Sequence, residues 1–118
     1  MYRKTVTLSP DRPNVPLAPV WIGKGSDALL ILSGVPDGFT ARAYLTKVGA
    51  TVAVYFDAAV SADTGEVYVF MAGANFPTDG QGSYEIRLTE TATGHHFWAG
   101  RGLVTVSPAS SDTVTAGS

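Results

Sequence analysis

The adjacent pair His95-His96 has the most direct claim on chemistry in this sequence, as metal ligands or as a base. Neighbours on a strand point to opposite faces, so the two rings cannot share one ion without a bulge. No spacing supplies a third ligand, and a metal site needs three or four. A structural place at a hairpin edge is expected instead. Gly23-Lys24-Gly25-Ser26 has the composition of a phosphate loop. It lacks the Gly-x-x-x-x-Gly-Lys-Ser/Thr spacing, and no helix is expected after it. Ser, His and Asp all occur, but no Gly-x-Ser-x-Gly elbow presents a nucleophile. The acidic residues fall mostly in turns or on polar strand faces, with no signature of a paired-carboxylate site. The chain has no cysteine, which removes disulfides, thiolate zinc sites and cysteine nucleophiles together. The expectation is a protein that is not an enzyme, with no catalytic residue, metal or cofactor.

The aromatic residues carry the stronger signal. Val52, Val54 and Phe56 alternate with Ala53 and Tyr55, and Val67, Val69 and Met71 alternate with Tyr68 and Phe70. Alternation puts one set on each face of a strand. With the aliphatic sets facing the core, Tyr55, Tyr68 and Phe70 face out. Phe39, Ala41, Ala43 and Leu45 face in, which leaves Arg42 and Tyr44 out. The candidate interaction face is therefore Tyr44, Tyr55, Tyr68, Phe70 and one of Phe97 or Trp98, with Trp98 preferred. An exposed patch of this kind marks a partner or ligand surface. It could equally be the second half of the core, or lie under the Pro-rich N-terminal segment. Stacking a sugar ring is a third use.

Asp79-Gly80-Gln81-Gly82-Ser83-Tyr84 opens the penultimate strand. Asp79, Gly82 and Tyr84 are similar to the tyrosine corner of immunoglobulin-like sandwiches, in which the phenol bonds back to turn backbone. Asp79 is five residues before the tyrosine rather than four, and Ile86 stands where antibody domains place a cysteine. A plain Gly-rich turn is the other reading. Both are structural.

These residues need strands to hold them. The two-residue period predicts strands over 3–8, 18–22, 28–33, 39–48, 51–57, 66–71, 83–91 and 95–106. The run 28–33 is continuously apolar, as in a strand covered on both sides. Turns are expected at Val35-Pro36-Asp37-Gly38, Gly49-Ala50, Ala62-Asp63-Thr64-Gly65 and Ala92-Thr93-Gly94. Gly100 and Gly102 inside the last strand suggest a bulge that shifts its register. No window keeps a helical apolar period. Seven or eight short strands with regular turns predict an all-β, antiparallel sandwich over residues 1–108. Four of the seven prolines lie in 9–19, so that stretch should run extended along an edge or between sheets. Residues 109–118 read as a flexible end or a docking arm.

Composition sets the outer bounds. The 118 residues suit one domain, and 45% apolar content can fill a core. Only 15% of residues are charged, against roughly 25% in an average domain. A net charge of −2 with scattered lysine and arginine gives no nucleic-acid footprint. No apolar run approaches the ~20 residues that cross a bilayer. No apolar segment follows Arg3 and Lys4, so no signal peptide is expected there. Arg3, Lys4, Arg12 and Lys24 crowd the first part, while Asp57, Asp63, Glu66, Asp79, Glu85 and Glu90 crowd residues 57–90. Ordinary surface charge explains this; contacts between copies would also use it.

Residues 39–108 resemble the Ig-like N-terminal domain of phage baseplate upper proteins. The resemblance rests on Tyr44 with Lys47, the turn and strand from Asp63 to Val69, Gly82-x-Tyr84-x-x-x-Leu88, and a closing strand ending at Val104 and Val106. It implies an Ig-like fold and a non-enzymatic virion structural role: a tail, baseplate or fibre connector, or a capsid decoration module. The expected partners are other virion proteins and copies of the chain, with no nucleic acid and no membrane. The expected location is the virion, assembled in the host cytoplasm. The alternative is a carbohydrate-binding sandwich that uses the aromatic residues as a platform.

Overall fold

A computed structural model describes residues 1–9, 11–12 and 14–108. Among these residues ten strands form in chain order: β1 (Tyr2–Thr7), β2 (Val15–Pro16), β3 (Val20–Gly23), β4 (Ala28–Ser33), β5 (Phe39–Thr46), β6 (Val54–Asp57), β7 (Ala59–Val60), β8 (Val67–Met71), β9 (Gly80–Glu90) and β10 (His96–Ser107). Strands β2 and β7 are two residues long; the other eight are the sandwich proper. One 3-10 turn, Gly73–Asn75, joins β8 to β9. The expected turns at Asp37-Gly38, 62–64 and 91–93 are present.

The sheets have the order β1-β4-β8-β7 and β2-β10-β9-β5-β6, with β3 following β2 along the same side of β10. This is the immunoglobulin strand order, with the last strand beside the next-to-last. Its edges depart from the antiparallel expectation. β1 runs parallel to β4, and both β2 and β3 run parallel to β10. The chain therefore leaves β1 in one sheet and reaches β2 and β3 in the other. The Pro-rich segment makes this crossing and ends on the β10 edge. Of its prolines, Pro10 and Pro13 lie outside the described residues, as does the expected C-terminal arm, 109–118.

The core fills the space between the sheets. The smaller sheet contributes Val6, Ala28, Leu30, Leu32, Val69 and Met71. The larger contributes Ala41, Ala43, Leu45, Tyr84, Ile86, Leu88, Val104 and Val106, with Val20 and Ile22 from its edge. Burial alternates along each of these strands, as a half-buried sheet requires. Two expectations are corrected here. Strand β4 is not covered on both sides: Leu29 and Ile31 are only half-buried, on the outer face. The expected strand 51–57 begins only at Val54, because 47–53 form the connection from β5. Val52, expected to point inward, is 76% exposed there.

The bulge in β10 falls between Trp98 and Gly100. Ala99 is the extra residue and is fully buried. The bulge leaves Trp98 opposite Arg87 on the outside and Gly100 opposite Ile86 on the inside.

Tyr84 is fully buried, and its hydroxyl donates to the Ala18 carbonyl at 2.6 Å. The phenol does bond backbone, but at the β2–β3 segment rather than at the turn before β9. It is a latch between the larger sheet and the Pro-rich crossing, not a corner. Asp79 is exposed and makes no side-chain hydrogen bond among the described residues. Burial, with the Tyr2 phenol nearby, pushes the Tyr84 hydroxyl well above the ordinary tyrosine range. In the unfolded chain a phenol ionises near pH 10; in the fold this one stays neutral. Below pH 10 the difference costs nothing. Above it, the unfolded state gains by ionising and stability falls. Tyr84→Phe is expected to cost about 1–2 kcal/mol at pH 7, from the orphaned carbonyl. It should also flatten the loss of stability above pH 10. Urea titrations of both proteins from pH 7 to 11 check this, and parallel curves would contradict it.

Candidate functional site

The outer face of the larger sheet carries a cluster of aromatic and charged side chains. On β5 the outward residues include Arg42 and Tyr44, and on β9 they include Glu85 and Arg87. β6 adds Tyr55 and Asp57; β10 adds Trp98 and Arg101. Strand register sets these in two rows. One runs Arg101, Glu85, Tyr44, Tyr55; the other runs Trp98, Arg87, Arg42, Asp57.

The two rows interlock. Tyr44 meets Trp98 edge-on, with ring centroids 5.1 Å apart, and meets Tyr55 at 6.2 Å. The Arg42 guanidinium lies 4.2 Å from the Tyr55 ring centroid, and that of Arg87 lies 5.3 Å from the Tyr44 ring. Both are cation–π distances, which favours guanidinium over ammonium at these positions. Arg42 Nε also donates to Asp57 Oδ1 at 2.7 Å. Asp57 first, with the Tyr44 hydroxyl, raises the Arg42 pKa above that of an ordinary arginine. Arg101 donates to the Ser83 hydroxyl at 3.1 Å. Arg87 Nε is buried and has no hydrogen-bond partner among the described residues.

The expected face is thus divided. Tyr44, Tyr55 and Trp98 come together as above, with Tyr55 58% exposed. Tyr68 and Phe70 lie on the outer face of the smaller sheet, across the sandwich, opposite Ile31 and Leu29. Phe97 faces the core side and packs edge-on against Phe39 at 6.2 Å. The second-half-of-the-core reading fails for Tyr55 and Phe70, which are both exposed. Gly82 faces inward beside Tyr84, away from both outer faces. His95 lies in the turn before β10 and His96 opens the strand, both exposed.

Two features were missed in the sequence. Trp21 is 60% exposed on the outer face of β3, and Leu103 is 55% exposed on the same face of β10. The signal for Trp21 was its place between Val20 and Ile22, the same alternation that marked Tyr55. The second miss is the convergence of Arg42 and Arg87. Its only signal was that both residues are polar members of alternating strands.

No protein-family model matches the chain, and no curated protein matches it in sequence. Among solved structures, it is similar to the N-terminal domain of phage TP901-1 ORF48. The two share 14% identity over 90% of this chain and 98% of that domain, with a TM-score of 0.59. A second match is the cysteine protease inhibitor EhICP2 from Entamoeba histolytica. It shares 8% identity over 91% of this chain and 99% of that one, with a TM-score of 0.44. The first is a likeness of fold. Among the described residues, no helix is long and apolar enough to cross a membrane.

Proposed function

We propose that this chain is a non-enzymatic structural module of a phage virion, a connector in a tail, baseplate or fibre or a decoration of the head. It works by burying the outer face of its larger sheet against another virion protein or a second copy. The observation that carries this reading is the Tyr44, Tyr55, Trp98, Arg42 and Arg87 cluster. Tyrosine, tryptophan and arginine are the residue types that dominate interface energetics. Here they are packed against one another before any partner arrives, so little side-chain freedom is left to lose on binding. The likeness of fold to a phage domain supports the setting.

The carbohydrate alternative needs an open ring face. The Tyr44 ring is flanked by Trp98 and Arg87, and Arg42 occupies one side of Tyr55. The cluster therefore suits a protein contact better than a stacked sugar.

Mass spectrometry of particles purified from a phage that encodes the chain should find it at a copy number comparable to other structural proteins. Tyr55→Ala should weaken its incorporation about tenfold or more, while Phe70→Ala on the opposite sheet should not. Absence from the particles, together with binding to a glycan array, would overturn the reading.

A further inference from the structure

We infer that the groove between Arg42 and Arg87 is a carboxylate-binding site, filled by an acidic side chain of a partner polypeptide. The two arginines are directly opposed on neighbouring strands, β5 and β9. Like charges in that position repel, so the pairing works against the sheet unless an anion joins it. Asp57 supplies one carboxylate, but it reaches Arg42 through Nε only, and its own side chain is 66% exposed. Arg87 has no acidic partner among the described residues. Its Nε is buried without an acceptor among the described residues, and its guanidinium lies against the Tyr44 ring.

The surroundings fit the same ligand. A groove of about 340 Å³ opens on this spot, lined by Thr40, Arg42, Asp57, Ala58, Arg87 and Thr89. Thr40 and Thr89 are paired across β5 and β9, next to the arginine pair, and both line the groove. A guanidinium offers N–H donors in a planar fork that matches the two oxygens of a carboxylate. The Tyr44 ring lies against the Arg87 guanidinium, and Arg87 also lines the groove where the ligand would sit. Asp57 is then a built-in competitor, because it holds Arg42 in the absence of a guest.

The choice of a polypeptide as the source of the carboxylate rests on the proposed interface; the chemistry of the groove does not. The test uses the full-length chain, 15N-labelled, and follows the Arg87 Nε–H resonance. The probe is the capped peptide acetyl-Gly-Glu-Gly-amide. Its glutamine analogue, inorganic phosphate and sodium chloride at matched ionic strength serve as comparisons. The glutamate peptide should move the resonance saturably, with a Kd on the order of millimolar. The glutamine analogue and chloride should not. Arg87→Lys, which keeps the charge and loses the fork, should weaken binding about tenfold. In that variant the Arg42 Nε–H resonance is followed. Asp57→Asn should tighten binding about threefold, an effect that a purely structural role for these residues does not produce.

A shift that follows ionic strength alone overturns the site. Saturation by phosphate below the peptide's range overturns the carboxylate assignment. Loss of affinity on Asp57→Asn overturns the competitor role and the groove with it. Each readout comes from the isolated protein. Its failure leaves the virion proposal standing, and absence of the chain from particles leaves this result standing.

Discussion

Gly102→Ala is expected to destabilise the fold by about 3 kcal/mol or more, far beyond the cost of a methyl group on an ordinary strand. A Cβ built at Gly102 lies 2.4 Å from Tyr84 Cε1 and 2.7 Å from Cζ. Real carbon contacts do not come so close, so the ring or the strand has to move. The ring has nowhere to go. It is fully buried, its hydroxyl is tied to the Ala18 carbonyl, and β9 holds its backbone opposite Gly102 itself. The glycine is there because a tyrosine passes beneath it. The expectation is specific to the pair. Tyr84→Leu alone opens a cavity and should cost roughly 2–4 kcal/mol. In the double variant the new methyl meets a shorter side chain, so the two losses should fall short of their sum by at least about 1 kcal/mol. Urea unfolding of the four proteins closes the cycle. Simple additivity would show that the clash is not the cause.

Gly100→Ala should have a comparable but more local effect. Its Cβ would lie 2.2 Å from the Val15 carbonyl oxygen and 2.8 Å from Leu17 Cγ. Both belong to the Pro-rich crossing. That segment is stitched to β10 by the Asn14 N–H donating to the Trp98 carbonyl and the Leu17 N–H donating to the Arg101 carbonyl. A methyl group inserted between them must push the segment off its edge. Leu17, now buried, would then be exposed, and Ala18 would lose its place over the Tyr84 hydroxyl. A loss of about 2–3 kcal/mol is expected. The distinguishing result is in amide exchange: the Asn14 and Leu17 N–H groups should lose protection well before those of Ile86 or Leu88. Uniform loss across the sheets would argue for global destabilisation instead.

Both substitutions concern the closing strand, and they show what could be read in advance. Glycines inside a strand announced a bulge, and the register does shift between Trp98 and Gly100. What each glycine faces was not readable. Gly100 faces the Val15 carbonyl, far back in the chain, and Gly102 faces a phenol from the neighbouring strand. Likewise Tyr84 was legible as a structural tyrosine seeking backbone. Its acceptor, 66 residues upstream, was not.

The candidate face follows the same division. The sequence left open whether the aromatic face was exposed or covered; what it carried was a β domain, the turns near Gly38 and Thr93, and the opposition of Tyr44, Tyr55, Tyr68 and Phe70 to the aliphatic sets of their strands. All of these follow from local stereochemistry: successive side chains on a strand point to opposite sides, and Gly and Asp residues make the turns. The packing of the whole chain put Tyr44 and Tyr55 in one sheet with Trp98, and Tyr68 and Phe70 in the other. Only it set Arg42 against Arg87. Alternation tells in from out, but a sandwich has two outsides. Which outside a strand occupies depends on its hydrogen-bonded neighbours, and those are chosen by the burial of distant segments, not by the strand's own pattern.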